Sequence, residues 1–213
     1  MNAQLAESNA RTSTTPTEPA QAARGLAVPV TPEDHVRGAS NATVTLVEYG
    51  DFESPECAEF HRILKAMSGD AKMNWQHVFR HIPLVLVHPH AVEAAEAAEA
   101  ASAQGLFWDL YDAMFENQGA LSAKFIRTMA RRLGADLARY DADMNAHRYA
   151  EKIKRDVTGA LRNGVAAAPT LFIDSVRYEG PIDETALITA LRKRIAVVTP
   201  PTLLTSSRAA SAR

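Results

Sequence analysis

The sequence predicts an α/β domain of two halves, one strand–helix–strand and one strand–strand–helix, with a block of helices between them. Three observations carry this. A β-branched apolar run, VTLVEYG, leads directly into a helix start at Ser54-Pro55. A stretch from about 84 to 164 repeats its apolar residues at helical spacing. A second β-like run, APTLFIDSV, is followed by a short partner and a closing helix.

VTLVEYG reads as a buried strand because it is β-branched and bounded by Asn41 and Gly50-Asp51. Ser54 is a good N-cap, Pro55 suits the first helical position, and Glu56 sits in the first turn. Cys57, Phe60, Ile63, Leu64 and Met67 then follow at helical spacing, and Ser68-Gly69 stop the helix. MNWQHVFRHIPL (73–84) alternates as a strand. VEAAEAAEAASAQG has high helix propensity and a Gly stop. LFWDLYDAMFEN, AKFIRTMARRLG, ADLARYDADMNAH and RYAEKIKRDVTGALRNG continue the helical pattern, giving roughly five short helices before 164. APTLFIDSV is a strand, RYEG its hairpin partner, and DETALITALRKRI a helix capped by Asp183. That order is a thioredoxin fold with a helical insertion between its βαβ and ββα halves.

The chain has 213 residues, 46% apolar and 23% charged, which suits one well-buried domain. Residues 1–26 are rich in Ala, Ser, Thr, Pro and Gln and read as a disordered tail, as do residues 198–213. The domain is placed at 27–197. With a net charge of −2 and no Lys/Arg block, neither nucleic acid nor an anionic membrane is expected as a partner. The longest apolar stretch, IPLVLVHP, is too short to span a bilayer. One cysteine forbids an intramolecular disulfide, and residues 1–25 lack a basic n-region and an apolar h-region. Both point to a reducing, cytoplasmic setting.

Four histidines, His77, His81, His88 and His90, raise the question of a metal. A strand spreads His77 and His81 over ~13 Å, and His88-Pro89-His90 has no evident carboxylate set nearby, so no metal site is expected. Phe107, Trp108, Tyr111 and Phe115 form a helical stripe that reads as core packing.

VTLVEYGDFESPEC resembles the first strand–loop–helix junction of DsbA-like proteins of the thioredoxin-4 subgroup, and GVAAAPTLFID resembles their cis-proline loop. FRHIPLVLVHPHAVEAAEAAEAASAQGLFWDLYDAMFENQGAL is similar to the subgroup's Arg-His-x-Pro-Leu and helical insert. Asp34-His35 with Gly38 resembles the lead-in before the first strand. The resemblance covers about 27–196 and implies the thiol-disulfide oxidoreductase lineage, whose Cys-Pro-x-Cys sits at a helix N-terminus that stabilises a thiolate. By position, Ser54 replaces the nucleophilic cysteine and Cys57 is the resolving one. A hydroxyl forms no disulfide, so the dithiol cycle is missing and Cys57 is at most a monothiol.

Two other readings stay open. Ser54-Pro55 is similar to the Ser-Pro of kappa-class glutathione transferases and hydroxychromene-carboxylate isomerases, where the hydroxyl hydrogen-bonds glutathione sulfur. Alternatively, the groove formed by Pro55, Glu56, Ala168, Pro169 and Thr170 binds a peptide or protein client without catalysis. Ala168 stands where the subgroup usually carries Thr, which leaves the main-chain groups of that turn in place. Asp51, Glu53, Glu56 and Glu59 disfavour a thiolate at Cys57, and Glu53 and Glu56 disfavour anionic glutathione. A neutral or basic peptide is the ligand expected, with no cofactor.

Overall fold

In the computed structural model, the residues described are 25–67 and 74–198. The tails up to residue 24 and from 199, and the helix stop at Ser68-Gly69, lie outside them. Five strands run β1 (His35–Gly38), β2 (Val44–Gly50), β3 (Trp75–His81), β4 (Thr170–Ile173) and β5 (Val176–Arg177). Seven helices follow in chain order as α1 (Pro55–Met67), α2 (Ala91–Ser102), α3 (Phe107–Glu116), α4 (Ala123–Arg132), α5 (Leu137–Asn145), α6 (Ala150–Arg162) and α7 (Glu184–Val198). A single 3-10 turn, Gln118–Ala120, separates α3 from α4.

The strands form one sheet in the order β1-β3-β2-β4-β5. β2 and β3 are parallel, joined by the α1 crossover, and every other pair is antiparallel. On one face α1 and α7 bury Phe60, Ile63, Leu64, Met67, Leu187 and Leu191 against Val44, Leu46, Leu171 and Ile173. On the other, the inserted helices pack Phe107, Leu110, Tyr111, Met114 and Phe115 against Val47, Tyr49, Val78 and Phe79. This is the thioredoxin fold with its helical insertion. Among the described residues no helix is long and apolar enough to cross a membrane.

Several local expectations change. β3 is buried continuously from His77 to His81, without the alternation expected, because both faces are covered. It ends before Pro83, which has no N–H to donate. β5 is Val176–Arg177, earlier than RYEG, because Asp174 and Ser175 take positive φ and turn the chain at once. The segment HVRG, read only as a lead-in, is a true strand, paired antiparallel with β3 from His35↔Phe79 to Gly38↔Gln76. Gly38 adopts φ +124°, and a Cβ there would meet the Trp75 carbonyl oxygen at 2.7 Å.

The assignment of residues 25 and 26 to a disordered tail does not hold. Gly25 bridges Val176 and the Leu26 N–H donates to the Ser175 carbonyl at 2.6 Å. Leu26 also packs against the main core, which offsets the ordering entropy of that stretch. Trp108 differs from the rest of its stripe. Phe107, Tyr111 and Phe115 are buried, whereas Trp108 is half-buried with the Arg37 guanidinium over its ring at 4.4 Å.

Candidate functional site

The parallel β2–β3 pair delivers Gly50 and His81 side by side at the C-terminal end of the sheet. The chain leaves β2 through Asp51, Phe52 and Glu53 and enters α1 at Ser54-Pro55. Gly50 is required there, since a Cβ would lie 2.4 Å from Phe79 Cε2 and 2.7 Å from Glu48 Oε1. Ser54 caps the helix: its Oγ accepts the Cys57 N–H at 3.2 Å and its carbonyl accepts the Ala58 N–H. The Ser54 hydroxyl has two acceptors in reach, Glu56 Oε2 at 2.9 Å and the Ala168 carbonyl at 3.1 Å. It has one proton and so donates to one of them at a time.

The Ala168–Pro169 peptide is cis, and this loop lies directly against the start of α1. Ser54 is only 1% exposed and Ala168 and Thr170 are buried, while Pro55 and Glu56 are exposed. Thr170 turns its hydroxyl back to the Ala167 carbonyl at 2.7 Å. The structure therefore brings Ser54 against Ala168, with the serine closed in and Pro55 and Glu56 facing solvent. Glu56 is held below the usual carboxylate range by its own backbone N–H and by the Ser54 hydroxyl, so this exposed position carries a negative charge.

Cys57 is 0% exposed. The Asp51 N–H points to its sulfur at 3.5 Å. Burial pushes the thiol well up, the Glu48 carboxylate adds to this, and the hydrogen bonds from Asp51 and Ser54 only partly oppose them. Of the acidic neighbours named from sequence, Asp51 contributes to this rise, but the larger charge effect comes from Glu48, which that reading missed. Glu48 is wholly buried on β2, with Oε2 accepting from His77 Nε2 at 2.8 Å and the Tyr111 hydroxyl at 3.1 Å. Its other oxygen, Oε1, and His77 Nδ1 have no hydrogen-bond partner among the described residues. A carboxylate inside an otherwise apolar strand was the signal that could have revealed it.

The histidines sort differently from expectation. His77 and His81 take separate carboxylates, Glu48 and Glu99. His88, read as lacking one, has Asp51: Nδ1 lies 2.9 Å from Oδ2, which also accepts the Leu84 N–H at 2.7 Å. With the His90 N–H bonded to Glu53, these contacts stitch the 84–90 loop to the entrance of α1. That loop holds Val85, Leu86 and Val87 in solvent, Leu86 at 96% exposure.

A thioredoxin family model matches residues 30–193. The chain belongs to the DsbA-like branch of the thioredoxin family. Among solved structures, DsbA2 of Pseudomonas aeruginosa is 28% identical with a TM-score of 0.63, over 82% of this chain and 100% of that one. BdbD of Bacillus subtilis shares the fold at 20% identity and a TM-score of 0.68, over 75% of this chain and 91% of that one. Among curated proteins, the Na(+)/H(+) antiporter NhaA 1 of Salinispora arenicola is 42% identical over 172 residues, 80% of this chain and 26% of that protein. NhaA of Herminiimonas arsenicoxydans is 39% identical over 175 residues, 79% of this chain and 27% of that one. The chain thus spans about a quarter of the length of these curated relatives.

In this thioredoxin domain the buried thiol makes a pH prediction. A thiol whose folded pKa is raised stabilises the fold fully below the ordinary thiol pKa, and that contribution falls as pH rises past about 8.5–9, where the unfolded chain releases its proton first. The urea midpoint should therefore drop between pH 8 and 10, and less steeply in Cys57→Ala. Equal slopes in the two proteins would contradict this. Iodoacetamide should leave the native thiol unlabelled at pH 8 and label it at once in denaturant.

Proposed function

We propose that this is a redox-silent thioredoxin-fold domain that holds an extended, neutral or basic segment of a partner protein beside Pro169. The observation that carries this reading is the division of the motif between interior and rim. The hydroxyl and thiol that would do chemistry are buried and hydrogen-bonded, whereas Pro55, Glu56 and the Val85–Leu86–Val87 tip face solvent. A monothiol role needs an accessible thiolate, and Cys57 is neither accessible nor easily ionised. A glutathione role needs a free Ser54 hydroxyl beside a surface that tolerates anions. Here the hydroxyl is occupied and Glu56 stays charged. Because the matched relatives are named Na(+)/H(+) antiporters, the portion of such an antiporter outside the matched region is the first partner to test.

Fluorescence anisotropy with a labelled apolar–basic peptide, and with the same peptide carrying Glu for Lys, tests the reading. Saturable binding of the basic form is expected, weakened roughly tenfold by Leu86→Asp or Glu56→Lys. Glutathione, followed by amide shifts, should give no saturable change near Ser54. Glutathione saturation there, or equal affinity for both peptides, would refute the assignment.

A further inference from the structure

Away from α1, three side chains from three different elements meet at one point. His35 of β1, His81 of β3 and Glu99 of α2 each offer one ligand atom, a ring nitrogen or a carboxylate oxygen, and these lie within 4.8 Å of one another. Both imidazoles address the same oxygen, His35 at 2.7 Å and His81 at 2.9 Å. Side-chain exposures are 10%, 1% and 6%. The His35 ring is clamped flat on Phe107, with centroids 3.4 Å apart and planes 8° from parallel. Beside the cluster lies a cavity of about 540 Å³ whose lining includes His35, Glu99, Ser102, Tyr149, Lys152 and Arg155.

We propose that His35, His81 and Glu99 are a binding site for a divalent transition-metal ion of the zinc class, with the fourth coordination position open to this cavity. Two imidazoles and one carboxylate are a ligand set zinc accepts, with a water completing the tetrahedron. Bonds of about 2.0–2.1 Å at tetrahedral angles set donor atoms roughly 3.3 Å apart, so each imidazole needs to move off the Glu99 oxygen by about half an ångström, with the two rings adjusting to each other from within 4.8 Å. A ligating imidazole carries its proton on Nδ1 and offers the Nε2 lone pair.

The charges around the cluster agree. Lys152 lies 3.7 Å from Glu99 Oε1 but is paired with Asp156 at 2.6 Å, and Arg80 is paired with Asp34 at 2.7 Å. Glu99 is left as the negative charge of the cluster, facing the two imidazoles at hydrogen-bond distance and the Asp156-paired Lys152 ammonium farther off.

The test is a Zn²⁺ titration of chelator-treated full-length protein by calorimetry, repeated with Co²⁺ to read the coordination geometry from its visible spectrum. One equivalent should bind, with a tetrahedral cobalt spectrum. His35→Gln and Glu99→Gln should each weaken binding roughly 100-fold or more, beyond the 10–100-fold cost of losing an outer-shell partner. His88→Gln, outside the cluster, should bind as the parent does. Should the ligand variants fail to fold, Lys152→Met decides, because removing the opposing ammonium should tighten binding. Absence of saturable binding, parent-like affinity in His35→Gln and Glu99→Gln, or no tightening in Lys152→Met would overturn the proposal.

Discussion

Ser54→Cys is expected to give a domain that forms a 54–57 disulfide under mild oxidant and catalyses insulin reduction. The unsubstituted protein should not exceed the uncatalysed background in the same assay. Position 54 is the N-cap of α1 and position 57 lies one turn in, a separation a disulfide can span. Thiol and hydroxyl are close in size, so the buried pocket against Ala168 should accept the change. A thiolate at 54 would be favoured by the helix N-terminus and opposed by the Glu56 carboxylate, which lies 2.9 Å from the present hydroxyl. Ser54→Cys/Glu56→Gln should therefore turn over faster than Ser54→Cys alone, by roughly tenfold if the thiol pKa falls about one unit. Two free thiols persisting after oxidation would show that the site has lost the geometry as well as the sulfur.

The second large effect is expected at Arg80. Its guanidinium is nearly buried and fully engaged: Nε and Nη2 clasp both Asp34 oxygens, while Nη1 and Nη2 donate to the Val28 and Pro29 carbonyls and to the Tyr49 hydroxyl. Arg80→Ala removes every one of these bonds and leaves the Asp34 carboxylate buried without its cation. Breaking such a pair costs about 3–5 kcal/mol, a drop in Tm on the order of 10 °C for a domain of this size. The loss should be accompanied by faster amide exchange in residues 26–38. A Tm change within a degree or two would mean that water replaces the guanidinium at no net cost.

Much of this was legible from the sequence because the relevant signals are local. VTLVEYG, the Ser54-Pro55 helix start, the five inserted helices and the Asp183 cap, whose Oδ1 accepts the Ala186 N–H at 2.8 Å, each follow from neighbouring residues. HVRG was not legible, since four residues without an apolar run become a strand only by pairing with β3. The site divides the same way. The meeting of Ser54 with Ala168 followed from the order of the elements. The burial of both reactive groups and the contribution of Glu48 depend on packing from α3 and β3, which no local pattern records. Still less could spacing alone join His35 to Glu99 across 64 positions.

The segment from 25 to 38 has a further consequence for how the molecule assembles. It bridges Val176 at one sheet edge, donates from the Ala27 N–H to Asn163 at 2.6 Å, passes the Arg80 clasp, and ends as β1 on the opposite edge. It is a belt whose attachment points are 136 positions apart in the chain for the Ala27–Asn163 bond. Contacts of that separation cannot form until the intervening chain has collapsed. During synthesis on the ribosome the belt emerges well before its buckle, α6 and the β4–β5 hairpin. Residues 28–34 can fasten to Arg80 once β3 has formed, but until α6 and the hairpin arrive residues 25–27 have nothing to hold, and closure of the belt marks the arrival of the second half of the fold.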